Sequence, residues 1–166
     1  MSAVQETFYS TFAQLAFALL GLWWVVVQFR HQEWMTHPPR RRMALYVSLY
    51  FALPGIMSLL SLLAENATFI WRVAFALAGL AGVIAGVQMA LLTRSPWERT
   101  WTWAGAVLFA VIAIVAGAPG VIATLGLSMT PIQVEGIVLA VVLLVGVAAA
   151  WHMFAQPLDD AGAVEP

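Results

Sequence analysis

The chain contains no cysteine and no lysine; its seven basic residues are all arginine. Without thiols, disulfides, thiolate catalysis and iron–sulfur ligation are excluded. Charge of either sign is scarce, at 9% of residues, whereas a soluble domain carries about 25%. A water-facing surface cannot be built from so few charges, and the 63% hydrophobic content leaves almost nothing for a soluble domain. The chain also lacks the patterns that bring reactive groups together. There is no H-E-x-x-H, no phosphate-binding loop and no G-x-S-x-G. No pair of carboxylates falls within an apolar run, and the T-V-G-Y-G filter of potassium channels is missing. The carboxylates lie mostly at one end of the apolar runs and His31, His37 and His152 at the other, so acid and base would be separated by most of a bilayer. The expectation is a protein that is not an enzyme, holds no cofactor or metal and binds no nucleic acid.

What is present is apolar sequence in long stretches. Runs of about 18 or more such residues read as membrane-spanning helices. Five are expected, over Phe8–Phe29, Met43–Ala64, Phe69–Leu92, Trp101–Leu125 and Ile132–Phe154. The fold class is therefore an all-α integral membrane protein, with residues 1–155 as a five-helix transmembrane domain and 156–166 as a short polar tail. The first 30 residues have Glu6 before the apolar run, no positive leader and no A-x-A-like cleavage site. The first span is thus read as retained.

Arginine distribution predicts orientation. Arg30, Arg40, Arg41 and Arg42 follow span one, and Arg94 and Arg99 follow span three, while the second and fourth connections have no basic residue. Excess Lys/Arg marks the cytoplasmic side, so the N-terminus is expected outside and the tail inside. Aromatic residues agree: Trp34, Trp97, Trp101, Trp103 and Trp151 fall at the inner interface, and Phe8, Tyr9 and Trp71 at the outer one. Arg40–Arg42 would sit over anionic lipid headgroups. The Ala, Val, Gly and Arg bias suits a bacterial genome rich in G and C, hence an inner (plasma) membrane. Asn66-Ala67-Thr68 has the glycosylation spacing but lies in a turn against the membrane, where no glycan is expected.

Packing is expected to rest on small residues, since lipid supplies no hydrophobic drive between helices. Ala74, Ala78, Gly82, Gly86 and Ala90 recur at steps of four, on one helix face. Such a seam serves either packing within one protomer or self-association. AFALLGL (16–22) and AFALAGL (74–80) agree at six of seven positions, which fits either a duplicated two-helix hairpin or chance in an alanine- and leucine-rich chain. Pro54 is expected to kink span two and free a carbonyl, with Ser58 and Ser61 near enough to re-satisfy it. The fourth connection, Gly117–Pro131, is apolar for an external loop. Gly117, Pro119 and Gly120 are expected to break the fourth helix early, leaving Val121–Met129 as a short half-helix or a re-entrant element; the alternative is one long kinked helix ending near Leu127.

The candidate functional residues are polar ones at membrane depth. Thr7, Ser10, Gln14, Gly21 and Gln28 share one stripe of span one, with Glu6 above its outer end. Arg72 is expected to pair with Glu65 across the short turn, or with Glu135 at the top of span five. The remaining carboxylates would form an acidic vestibule attractive to cations. The resulting expectation is a homo-oligomeric, cation-preferring channel with membrane lipids, inorganic ions and further copies of itself as partners. Glu6, Ser10, Gln14, Gln28 and Glu135 would line or gate the path. The alternatives are a non-conducting accessory or scaffold subunit of a larger membrane complex, packing through the Ala78–Gly82–Gly86 seam, and a small-solute transporter.

Overall fold

The computed structural model describes residues 2–63, 68–93, 96–126 and 128–155, and all regular structure among them is helix. The order is α1 (Ala3–Phe29), α2 (His31–Met35), α3 (Pro38–Leu63), α4 (Thr68–Leu92), α5 (Pro96–Gly117), α6 (Gly120–Thr124) and α7 (Pro131–Ala155). Among the described residues, five of these helices are long and apolar enough to cross a membrane: α1, α3, α4, α5 and α7. The expected glycosylation motif, Glu65, Arg94 and the polar tail lie outside the described residues.

Each helix begins and ends where local chemistry dictates. α1 starts five residues before the apolar run because Ser2 forms a capping box with Gln5: the Gln5 amide donates to Ser2 Oγ at 3.3 Å and the Ser2 amide to Gln5 Oε1 at 3.0 Å. Pro38, Pro96 and Pro131 open α3, α5 and α7, the first helical position being the one that tolerates a missing N–H. α3 runs through Pro54 as one element. Ser61 Oγ donates to the carbonyls of Met57 and Ser58, at 2.8 and 3.2 Å, and Ser58 Oγ has no partner. Neither serine caps the Tyr50 carbonyl that Pro54 leaves without its donor, contrary to the expectation.

The fourth span is shorter than expected. α5 ends at Gly117, not near Leu125, because Pro119 cannot continue the hydrogen-bond ladder; the one-turn α6 follows it. Of the residues from Gly120 to Thr130 that are described, Ile122 alone is buried and most are exposed. Irregular backbone at membrane depth is tolerated only inside protein or against a wet cavity. Within the protomer the segment is irregular and mostly exposed, not a continuation of α5 as one long helix.

α1 and α7 run parallel, with α3 antiparallel beside both. The Tyr9 hydroxyl meets the start of α7, and Arg30, at the other end of α1, donates from Nη2 to the Phe154 carbonyl at 3.2 Å, with its guanidinium carbon 5.4 Å from the centre of the Phe154 ring. Arg30, the Arg40–Arg42 run and Arg99 therefore share one end of the bundle, called here the basic end. Trp34 of α2 is buried there against Trp23, with ring centroids 5.7 Å apart, and Trp23 Nε1 donates to the Ala44 carbonyl at 3.0 Å. Trp34 and Tyr9, expected as interfacial aromatics, are core residues; Trp103 and Trp151 stay exposed.

Small residues set which helices approach. A Cβ on Gly79 would come within 2.8 Å of the Ala113 amide and the Phe109 carbonyl, one on Gly86 within 2.9 Å of the Ala106 methyl, and one on Gly82 would enter the Phe109 ring. The Ala78–Gly82–Gly86 seam is thus consumed by the α4–α5 contact within one protomer. The two similar heptapeptides are used differently: Gly79 is buried against α5, whereas Gly21 has nothing within 4 Å. Gly82→Val should lower stability by about 1–3 kcal/mol, the usual cost of overpacking, while Gly120→Ala, in open space, should leave the detergent-solubilised protein's melting temperature unchanged. Equal melting temperatures for the two variants would refute the close α4–α5 approach.

Candidate functional site

Four groups of polar side chains lie at depths where water is scarce, and each solves the problem differently. The first is Arg72, near the start of α4. Its Nε donates to the Ala116 carbonyl at 3.0 Å and its Nη2 to the Gly117 carbonyl at 3.2 Å. A helix leaves its last four carbonyls without intrahelical donors and carries partial negative charge there. Because α5 stops early, those carbonyls fall within reach of α4, and Arg72 caps them. The expected partner Glu65 lies outside the described residues, and Glu135 makes no hydrogen bond to Arg72. Among the described residues, the guanidinium is bound to a helix terminus. Arg72→Leu should cost about 1–3 kcal/mol, the range for hydrogen bonds to a charged group, with faster amide exchange confined to the last turn of α5. Unchanged exchange there would remove Arg72 from this role.

The second group was not legible as a motif. Tyr46 and Tyr50 are both buried, with hydroxyls 2.9 Å apart; the Thr102 carbonyl lies 3.3 Å from the Tyr46 hydroxyl and the Trp101 carbonyl 3.4 Å from that of Tyr50, so one tyrosine donates to the other and the second to its carbonyl. Glycines make the room. Gly86 approaches the Tyr46 hydroxyl, Gly105 the Tyr50 hydroxyl and Gly146 the Tyr50 Cβ, so any larger residue at these positions would displace a tyrosine. Beside the pair, a cavity of about 30 Å³ is lined by Met43, Trp101 and His152 among others. That is room for a water or two. The signal in the sequence was the i, i+4 spacing of two tyrosines in an apolar helix, a pair that hydrocarbon tolerates only with internal acceptors.

The third group contains Glu135. It was expected to face a vestibule, but it is 0% exposed, and neither carboxylate oxygen has a hydrogen-bond partner among the described residues. The reason is register: Glu135, Leu139, Val142 and Gly146 lie on the one face of α7 that turns into the bundle. The Tyr9 side chain packs on the same turn. Its hydroxyl donates to the Ile132 carbonyl at 2.6 Å, and a Cβ on Gly136 would sit 3.4 Å from that hydroxyl. α3 supplies the other wall. Gly146 seats on Tyr50 and Phe51; counting back from Gly146 to Glu135 in α7, and forward equally along antiparallel α3, arrives at Ser61. Ser58, fully buried with an unpartnered hydroxyl, is one turn away. A charged group left unpaired in such a place costs several kcal/mol.

The fourth group is the expected polar stripe of α1. Thr7, Gln14, Gly21 and Gln28 are exposed, Ser10 is half-buried and Glu6 is exposed at the end of the stripe. The face is more regular than anticipated, with exposed Thr11 in place of half-buried Ser10. Thr7, Thr11, Gln14, Ala18, Gly21, Val25 and Gln28 are all exposed, and they alternate steps of four and three along the helix. This is a heptad seam of small and polar residues. Thr7 Oγ1 donates back to the Ala3 carbonyl at 2.9 Å, but the Gln14 amide has no partner among the described residues. Gln14 stands near the midpoint of a helix about 40 Å long at 1.5 Å per residue. Arg41 and Arg42 are exposed and Arg40 half-buried at the basic end, where headgroups would meet them.

No family model matches the chain, and no curated protein or solved structure matches it either. Among the described residues, no group of three or more His, Asp or Glu side chains is arranged to hold a metal ion.

Proposed function

We propose that the chain is the subunit of a homo-oligomeric, cation-preferring channel in a bacterial inner membrane, with the α1 helices of several copies around a shared path. The observation that carries this reading is the outward seam of α1. An amide at hydrocarbon depth needs water or another chain, and Gln14 finds no partner in its own protomer. The seam repeats every seven residues, a period that suits left-handed packing of like helices at small crossing angles. Gly21, with open space around it, permits the close approach such packing needs. The protomer interior is filled by large side chains from Tyr9 at one end to Met153 at the other, which favours a path between copies over one through a single copy. Glu6 at the rim supplies the negative charge that attracts cations. The positive-inside rule puts the basic end in the cytoplasm and Glu6 outside.

The test uses the thiol-free background of the chain. Gln14→Cys should cross-link between copies and react with a membrane-impermeant maleimide, while Leu15→Cys, one residue round the helix, should do neither. Purified protein in liposomes should pass monovalent cations. Gln14→Leu should alter that flux at least several-fold at equal expression, and Gly21→Leu should abolish oligomer and flux together without unfolding the protomer. Cross-linking with no flux would replace the channel by a non-conducting assembly. A Gln14→Cys thiol that neither cross-links nor reacts would end the proposal.

A further inference from the structure

We propose that Glu135 is a proton-binding site within each protomer, and that the Tyr9 hydroxyl switches between two acceptors as the proton leaves and returns. The site is complete in one copy, so it stands or falls separately from the assembly of copies through α1.

Three observations carry the inference. Glu135 is wholly buried and both of its oxygens lack hydrogen-bond partners among the described residues, so the side chain is not serving as a structural acceptor. Arg72, Tyr46 and Tyr50 behave otherwise, each with partners at 2.9–3.4 Å, and the likewise unpartnered Ser58 hydroxyl carries no charge. Second, the Tyr9 hydroxyl packs against the turn of α7 that bears Glu135, where it donates to the Ile132 carbonyl at 2.6 Å. That carbonyl already serves the α7 ladder, so Tyr9 can leave it without orphaning a backbone acceptor. Third, a groove of about 630 Å³ runs between α1 and α7, lined mostly by apolar side chains such as Ile137, Val141 and Leu144, with Gln5, Tyr9 and Gln133 towards the end that bears the two helix starts. It brings open space to the other side of the Tyr9 ring.

The ligand is a proton rather than a metal cation because of the packing. The turn that bears Glu135 is closed by Phe8, 3.0 Å from a Cβ on Gly136, and by buried Tyr9, Phe12 and Leu139. A metal ion needs several oxygen ligands and the volume to hold them; a proton needs only the carboxyl oxygen.

The groups facing Glu135 set no competing charge. α1 contributes Tyr9, with Glu6 exposed nearly a turn beyond it. α3 has no charged residue between Phe51 and Leu63, only Ser58 and Ser61, and α5 has none between Trp103 and Gly117. On α4, Arg72 is committed to the end of α5. The exchange balances simply. The carboxylic acid passes its proton to the Tyr9 oxygen while the Tyr9 hydroxyl passes its own proton to a water at the Gln5–Gln133 end of the groove, leaving a carboxylate. The O–H that Tyr9 then holds points at that carboxylate instead of the Ile132 carbonyl. Reprotonation reverses both movements. Nothing is oxidised or reduced.

The experiment is an infrared pH titration of the full-length protein in liposomes, following the carbonyl stretch of protonated carboxylic acids in water and in deuterium oxide. Wild-type protein should show one band lost in a single step as pH rises, shifted by deuterium, and absent from Glu135→Gln. Tyr9→Phe removes the donor to the carboxylate, so proton release should need a pH about one unit higher, a tenfold increase in proton affinity. A Tyr9 that served only packing would lower stability and leave the midpoint alone. If Glu135→Gln does not fold, Glu135→Asp keeps the question open to measurement, because its acid band must move in frequency. Identical titrations for wild-type and variant, or a Glu135 band that survives to the highest pH at which the helices persist, would overturn the proposal.

Discussion

In hydrocarbon, a hydrogen-bonding group has three recourses: a partner in its own protomer, water, or another chain. The organisation of this protein follows from how its few polar side chains divide among them. Arg72 takes the first, binding carbonyls that α5 orphans by ending at Gly117. Tyr46 and Tyr50 take it as well, one bonding the other and the second a carbonyl of α5. Gln14 and Gln28 turn outward and need the second or third. Glu135 has been given none of them, although it is the only residue among the described parts of α3, α4, α5 and α7 to bring a carboxylate into the buried core. Ser58 shares that lack of a partner, but its hydroxyl carries no charge, so among the described residues Glu135 marks an interior place where gain or loss of a proton is chemically meaningful.

Satisfaction of those groups depends on backbone approach. The Tyr46–Tyr50 pair exists because Gly86, Gly105 and Gly146 leave space for two phenols between α3, α4, α5 and α7. Arg72 reaches α5 because Gly79 and Gly82 let α4 lie against Ala113 and Phe109. Glycine is a weak helix former in water, and its density here trades intrinsic helicity for contact, which bilayers favour since they already enforce helix formation.

Much of this was legible in the residues. Length and apolarity located the spanning helices, and the arginine pattern grouped Arg30, Arg40–Arg42 and Arg99 at one end, where the fold also gathers them. The steps-of-four seam in α4 was visible, though its partner helix was not, because Ala106 and Ala113 look like any other alanines until the hairpin closes. The early stop of α5 was legible in Gly117, Pro119 and Gly120, although the span drawn from apolarity alone ran on to Leu125. Two things escaped. Glu135 looked like a vestibule residue because its distance from the helix end was read and its face was not. The face is given by Leu139, Val142 and Gly146, which reveal their orientation only when the neighbouring helices are known. Four of the seven positions of the α1 seam were read in the sequence, Thr7, Gln14, Gly21 and Gln28; Ser10 was placed on it where exposed Thr11 belongs, and Ala18 and Val25 carry no polarity to draw notice.

The two seams are not interchangeable, and this bears on how copies could associate. The α4 seam advances by four residues at each step, so it drifts around the helix axis in the sense that suits the closer, right-handed crossings of small-xxx-small pairs. It is spent on α5, and Phe109 fills it. The α1 seam alternates four and three, a mean of 3.5, and stays on one side of a helix that supercoils to the left. A face of that kind is self-complementary: the same residues meet across a symmetric contact, so Gln14 would face Gln14 and Gly21 would admit its counterpart. Self-association through α1 therefore leaves the α4–α5 hairpin, the tyrosine pair and Glu135 untouched. Each protomer keeps its interior intact while its outward seam remains available to others.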